Sequence, residues 1–94
     1  MTRYFVPFSH NIPSAIEIKG HRLLILSTSK NELSENSGFL GSDEIRELYL
    51  DKENDNAVLA QLAESAKGGI VVTPPGMTLE SVIISLEQEL PWVH

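Results

Sequence analysis

The 94-residue chain contains no cysteine, which removes disulfide staples, thiolate nucleophiles and every zinc site built on sulfur. It also lacks a long apolar run: Leu23 to Leu26 is among the densest stretches, far short of the roughly 20 residues a membrane-spanning helix needs. An integral membrane protein is therefore not expected. Basic residues are scarce, 7 Lys and Arg against 13 Asp and Glu, for a net charge of −6. Such a surface repels phosphate backbones and offers no dense cationic footprint, so general nucleic-acid binding is disfavoured. The opening "MTRYFVPFSH" has neither the unbroken apolar core nor the small-residue cleavage site of a secretory signal, and a cytoplasmic location is expected.

The familiar catalytic spacings are missing too. Neither GxGxxG nor GxxxxGK[ST] occurs, and no GxSxG elbow marks a nucleophilic serine. His10, His21 and His94 follow no HxH, HxxxH or HExxH pattern, so no metal site is expected. Glu80, Glu87 and Glu89 fall on the outward side of a C-terminal helix and read as a solvated face rather than a catalytic pair. No catalytic residue and no cofactor is expected.

What is present is the composition of a folded domain, 41% hydrophobic and 21% charged, which supplies enough apolar surface to offset the entropy of ordering. One domain spanning residues 1–94 is the natural reading for this length. Charge is divided unevenly: residues 1–30 hold four basic residues and one acid, residues 31–94 three and twelve. The basic part keeps one minor reading open, in which Arg3, Lys19 and Arg22 with Tyr4 and Phe5 form a stacking face for single-stranded nucleic acid. That reading ranks last, because alternating strand aromatics are more often core.

Arg3 to Phe8 alternates with period two and reads as a strand, with Pro7 marking it as an edge strand or ending it early. "SHNIPS" is turn chemistry. Two β-like runs then meet at Lys19-Gly20-His21, the best hairpin signal in the chain. The second arm, Leu23 to Leu26, is apolar on both faces, which implies a central strand whose second face is covered by helices or by a partner. Residues 27–42 read as a loop with one helical turn near Asn31 to Glu35, anchored by Phe39 and Leu40. For residues 43–50, Ser42 as cap, acids in the first turn and the spacing of Ile45, Leu48 and Tyr49 favour a helix over the competing strand.

A firmer helix follows, capped by Asp55 or Asn56, with a stripe of Val58, Leu59, Leu62, Ala63 and Ala66. Lys67 and Gly68 close it, Gly68 being suited to a left-handed cap. Gly69 to Thr73 is a short buried strand, and Thr78 caps a last helix striped by Leu79, Val82, Ile83, Leu86 and Leu90 until Pro91 stops it. The expected fold is α+β, a two-layer sandwich in which a mixed sheet of about four strands, the N-terminal hairpin or meander plus 69–73, is covered on one face by two or three helices.

Two places could carry function. "GGIVVTPPGMT" leads a strand into a helix N-terminus, where backbone amides and the helix dipole favour anions. Thr73, Gly76 and Thr78 are its candidate ligand-binding residues. Pro74 and Pro75 nevertheless lack the donors of a phosphate nest, and Pro75-Gly76 suits a type II turn, so a structural corner is preferred. The second place is apolar surface: Leu24 and Leu26 on the doubly apolar strand, and Trp92 and Val93 in the tail "PWVH", which either lid the core, the preferred reading, or anchor another chain. The expected function is a non-enzymatic interaction or regulatory module working as a homodimer or with another protein. The alternative is a small-molecule-binding domain or small enzyme using the 73–78 corner.

Overall fold

The computed structural model describes residues 2–89. Their order is β1 (Thr2–Ser9), β2 (Ile12–Pro13), β3 (Ile16–Ile18), β4 (His21–Leu26), α1 (Lys30–Glu35), α2 (Ser37–Leu40), β5 (Glu44–Leu50), α3 (Asp55–Ala66), β6 (Gly69–Val72) and α4 (Leu79–Glu89). The fold is α+β, but its strands form two three-stranded sheets rather than one sheet of about four. One is ordered β2-β1-β5 and the other β3-β4-β6. They meet at a single bridge, where the Phe5 amide donates to the Ser27 carbonyl at 2.7 Å and the Ser27 amide to Phe5 at 3.2 Å.

Two tight turns set the registers. Ile18 faces His21 across Lys19 and Gly20, whose φ values of 52° and 81° are those of a type I′ hairpin. His10 and Asn11, at 52° and 65°, make the same kind of turn between Ser9 and Ile12 without a glycine. Asn11 is held there from outside, since Arg46 Nη2 donates to its Oδ1 at 2.6 Å.

Pro7 does not mark an edge, because β1 lies between β2 and β5. Phe5 turns its amide and carbonyl toward Ser27, so by strand alternation the Pro7 nitrogen also points away from β5. Its carbonyl accepts from the Ser14 amide at 2.8 Å. The missing donor thus falls in the gap where β1 leaves Ser27 for β2, and the proline costs no ladder bond.

Within residues 43–50, Glu44–Leu50 is strand, not helix. All seven residues of β5 pair antiparallel with β1, from Phe8 opposite Glu44 to Tyr4 opposite Leu48 and Arg3 opposite Tyr49. The helical spacing was coincidental: Ile45 packs on one face of the sheet at one end, and Leu48 on the other face nearer the other end. In residues 27–42 the loop holds more helix than expected, α1 and α2. Leu40 is buried as an anchor, whereas Phe39 is 57% exposed.

Helices cover both faces instead of one. Phe5, Ile25, Ile45 and Val71 pack with Leu33, Leu40, Leu79, Ile83 and Leu86 from α1, α2 and α4. Val6, Leu24, Leu26 and Ile70 point the other way and pack with Leu59, Leu62 and Ala66 of α3. β4 is therefore central and buried on both sides by its own chain, with Leu24, Ile25 and Leu26 at 0%, 1% and 0% exposure. Each such side chain stabilises the fold by about 1.5–3 kcal/mol before ordering entropy is counted.

α3 starts one residue early, with Asn54 at the cap position, and its end is built differently from the sequence expectation. Lys67, at φ 56°, takes the left-handed conformation; its amide bonds to Glu64 O and the Gly68 amide to Ala63 O. Gly68 is needed instead for close approach, because a β-carbon there would lie inside contact distance of the Arg22 carbonyl. Arg22 returns along the same contact, its Nε donating to the Ala66 carbonyl at 2.6 Å. A cation at the helix C-terminus thereby seats α3 and β6 on β4.

Candidate functional site

The corner after β6 gathers Thr73, Gly76 and Thr78 and gives each a separate structural task. Thr73 extends the parallel ladder, its amide donating to Leu26 O at 2.9 Å. Pro74 to Met77 form a type II turn: the Met77 amide donates to Pro74 O at 3.2 Å, and Gly76 supplies the positive φ, 85°. Thr78 Oγ1 accepts from the Ser81 amide at 3.1 Å and donates to Ser81 Oγ at 2.9 Å, which caps α4.

The decisive contact comes from α1. Glu32 Oε1 accepts from the Leu79 amide at 2.7 Å, so a carboxylate of the chain itself occupies the positive end of α4. The first-turn donors of Leu79 and Ser81 are engaged, and Pro74 and Pro75 have none to offer. Glu32 is in turn placed by α1, capped by Ser29 through a 3.4 Å bond from the Glu32 amide. One polar group at the corner has no partner among the described residues, the Thr73 hydroxyl, on a residue 2% exposed.

Leu24 and Leu26 are core residues. Both are 0% exposed within the chain, so they present no side-chain surface to a second copy, and the double apolarity of β4 reflects two internal covers. Trp92 and Val93, like Leu90 and Pro91, lie outside the described residues. The basic candidates are dispersed rather than assembled: Arg3 lies 3.8 Å from Glu47 and over the Phe5 ring, while Arg22 is committed to α3. Phe5 is 5% exposed and offers no stacking platform.

An open groove of about 560 Å³ runs between β2 and α3, lined by Phe8, Ile12, Pro13, Leu48, Val58 and Leu62 among others. Arg46 lies over the Phe8 ring at 4.2 Å and bonds both oxygens of Glu44, at 2.9 and 3.0 Å. The Arg46 hydrogen bond, chiefly, holds the Glu44 carboxyl below the usual carboxylate range; the guanidinium charge adds to it and desolvation opposes it. A second cleft, about 400 Å³, is polar and lined by Lys30, Ser34, Ser37, Ser42 and Asp43 among others. The Ser42 hydroxyl is buried without a partner among the described residues. Among those residues, no group of three His, Asp or Glu side chains is arranged to hold a metal, and no helix is long and apolar enough to cross a membrane.

The feature that side-chain reasoning missed belongs to the main chain. β6 is the outer strand of its sheet. Because Thr73 bonds to Leu26, alternation turns Gly69, Val71 and Thr73 toward β4 and leaves the amides and carbonyls of Ile70 and Val72 facing outward. No hydrogen bond within the described residues uses these four groups. The signal in the sequence was a β-branched run without charge, closed by a proline. No family model matches the chain, and neither does any curated protein or solved structure.

Proposed function

We propose that the chain is a non-enzymatic interaction module that self-associates. The observation that carries this reading is the β6 edge, an outer strand with no charged side chain and with its outward main-chain donors and acceptors unused among the described residues. Natural edge strands are ordinarily blunted by charge, proline or a cover, because an open edge is a template for another strand. Here the blunting begins only at Pro74, beyond the last strand residue.

Light scattering across a concentration series tests the reading. The expected mass is about twice 10.4 kDa at micromolar concentration; a mass near 10.4 kDa throughout would overturn it. A small-molecule role for the corner has one observation in its favour, the unpartnered Thr73 hydroxyl. Against it stands Glu32, which already fills the α4 N-terminus. A thermal-shift screen with nucleotides, acidic metabolites and divalent metals separates the two. No shift is expected for the interaction module, whereas a shift abolished by Thr73→Val would favour the corner.

A further inference from the structure

Among the described residues β5 and β6 each have one side without a strand partner, and they differ in what a second copy would meet there. On β5 the outward-facing backbone groups belong to Ile45, Glu47 and Tyr49, because Tyr4, Val6 and Phe8 pair with Leu48, Arg46 and Glu44 on the inner side. An antiparallel pairing of two β5 strands that uses all three must centre on Glu47. It would set carboxylate against carboxylate, with Glu44 and Arg46 beside them, and like charges directly opposite are destabilising.

β6 behaves in the opposite way. The register that uses all of its outward groups centres on Val71, placing Ile70 opposite the second copy's Val72, and Val72 opposite the second copy's Ile70. Each of these is a hydrogen-bonded pair that exchanges two bonds, so every outward amide and carbonyl of Ile70 and Val72 is satisfied in both copies at once. Shifting the register by two residues in one direction sets Ile70 opposite Pro74, which has no amide hydrogen. The facing side chains are β-branched and uncharged, and Gly69 lies opposite Thr73 of the second copy, where the absence of a side chain leaves room. Val72, 37% exposed in the single chain, would be covered.

We infer that two copies join edge to edge through β6, antiparallel about Val71, so that the strands run β3-β4-β6 and then β6-β4-β3 of the second copy as one continuous sheet. This rests on the self-association reading and adds its surface and register. It makes the dimer two-fold symmetric, and it leaves the charged β5 edges at the far ends of the combined structure.

The test combines hydrogen exchange on the wild-type chain with a charge placed in the interface. In concentrated wild-type solution the Ile70 and Val72 amides should exchange slowly, and both should become fast on dilution to the monomer. The Val71 amide, bonded to β4, should stay protected throughout. Val72→Lys should retain the wild-type circular dichroism and weaken the dimer by at least about tenfold. A dimer that persists in Val72→Lys, with Ile70 and Val72 exchanging fast in the wild type, overturns the inferred surface and leaves self-association intact. A wild-type chain that stays monomeric overturns both. If Val72→Lys fails to fold, the concentration dependence of the two wild-type amides decides the matter alone.

Discussion

β5 and β6 are both outer strands of small sheets, each with one side unpaired among the described residues, yet one edge is guarded and the other is bare. β5 carries Glu44, Arg46 and Glu47, with Arg46 tied to Glu44 and Arg3 near Glu47. β6 carries Gly, Ile, Val and Val. In the guarded strand, side-chain charge makes self-pairing unfavourable although more backbone groups face outward. In the bare strand, four backbone groups and a terminating proline define one register. On the inferred pairing, edge length alone does not select the associating edge; the charge at the centre of the self-complementary register does.

Proline scanning along β6 gives the largest effect and sharpens the contrast between its two sides. Val71→Pro removes a donor that faces β4 and should destabilise the fold by about 3 kcal/mol or more in urea unfolding. Val72→Pro removes an outward donor and should stay within about 1 kcal/mol of wild type as a monomer. Equal losses at the two positions would show that the alternation assigned to β6 is wrong. Gly68→Ala attacks the seating of the same strand: the new β-carbon meets the Arg22 carbonyl rather than a flexible side chain. A loss of roughly 2 kcal/mol is expected, read from the same unfolding curves.

Gly76→Ala, at the turn that ends the bare edge, should cost about 1 kcal/mol, because only its φ of 85° opposes a side chain and no atom lies within 4 Å of the new β-carbon. A neutral effect would mean that the turn relaxes freely. Removing the guard from the other edge by Glu47→Val relieves the opposed carboxylates, worth about 0.2–1 kcal/mol per pair. With both edges then open, sedimentation should reveal species larger than a dimer, since two different self-pairing edges on one chain propagate.

Acidification is the mildest perturbation. The Glu44 carboxyl titrates below its ordinary value in the folded chain. Its contribution is therefore present above the unfolded-state pKa and is lost as pH falls through the depressed folded-state value. The Glu44–Arg46 pair is exposed, so the effect should be small. Glu44→Gln should flatten that part of the stability profile; an unchanged profile would assign the acid response to other carboxylates.

Much of this architecture could be read from short-range chemistry. Lys19-Gly20 fixed a hairpin, Pro75-Gly76 a type II turn and Thr78 a helix start, because each depends on a few neighbouring residues. β5 was misread for the opposite reason. Its apolar residues are covered diagonally, Ile45 on one face and Leu48 on the other, so the strand has no polar face, while Ser42, Asp43 and Glu44 imitate a helix cap. Pro7 misled because its missing donor matters only relative to the gap between the two sheets, which no local pattern encodes. At the corner the turn was legible, but Glu32 was not, as 47 residues separate it from the amide it accepts. Leu24 and Leu26 looked available to a partner because the two helical covers of β4 come from distant parts of the chain.

That last arrangement has a consequence for the order in which the protein can assemble as it is synthesised. The hairpin containing β4 leaves the ribosome ahead of α3, β6 and α4, which complete the burial of Leu24, Ile25 and Leu26 and all follow residue 54. Until Ala66 is available the face bearing Leu24 and Leu26 has no helix to pack against, and the parallel partner of β4 is still to come. Non-local pairing of this kind is slow and leaves apolar surface transiently exposed. The nascent chain therefore carries an adhesive segment unprotected until α3 and β6 have followed it. A ribosome-bound chain in which β4 has left the exit tunnel but α3 has not should bind a hydrophobic dye and be cut readily by protease, whereas one in which α4 has also emerged should do neither.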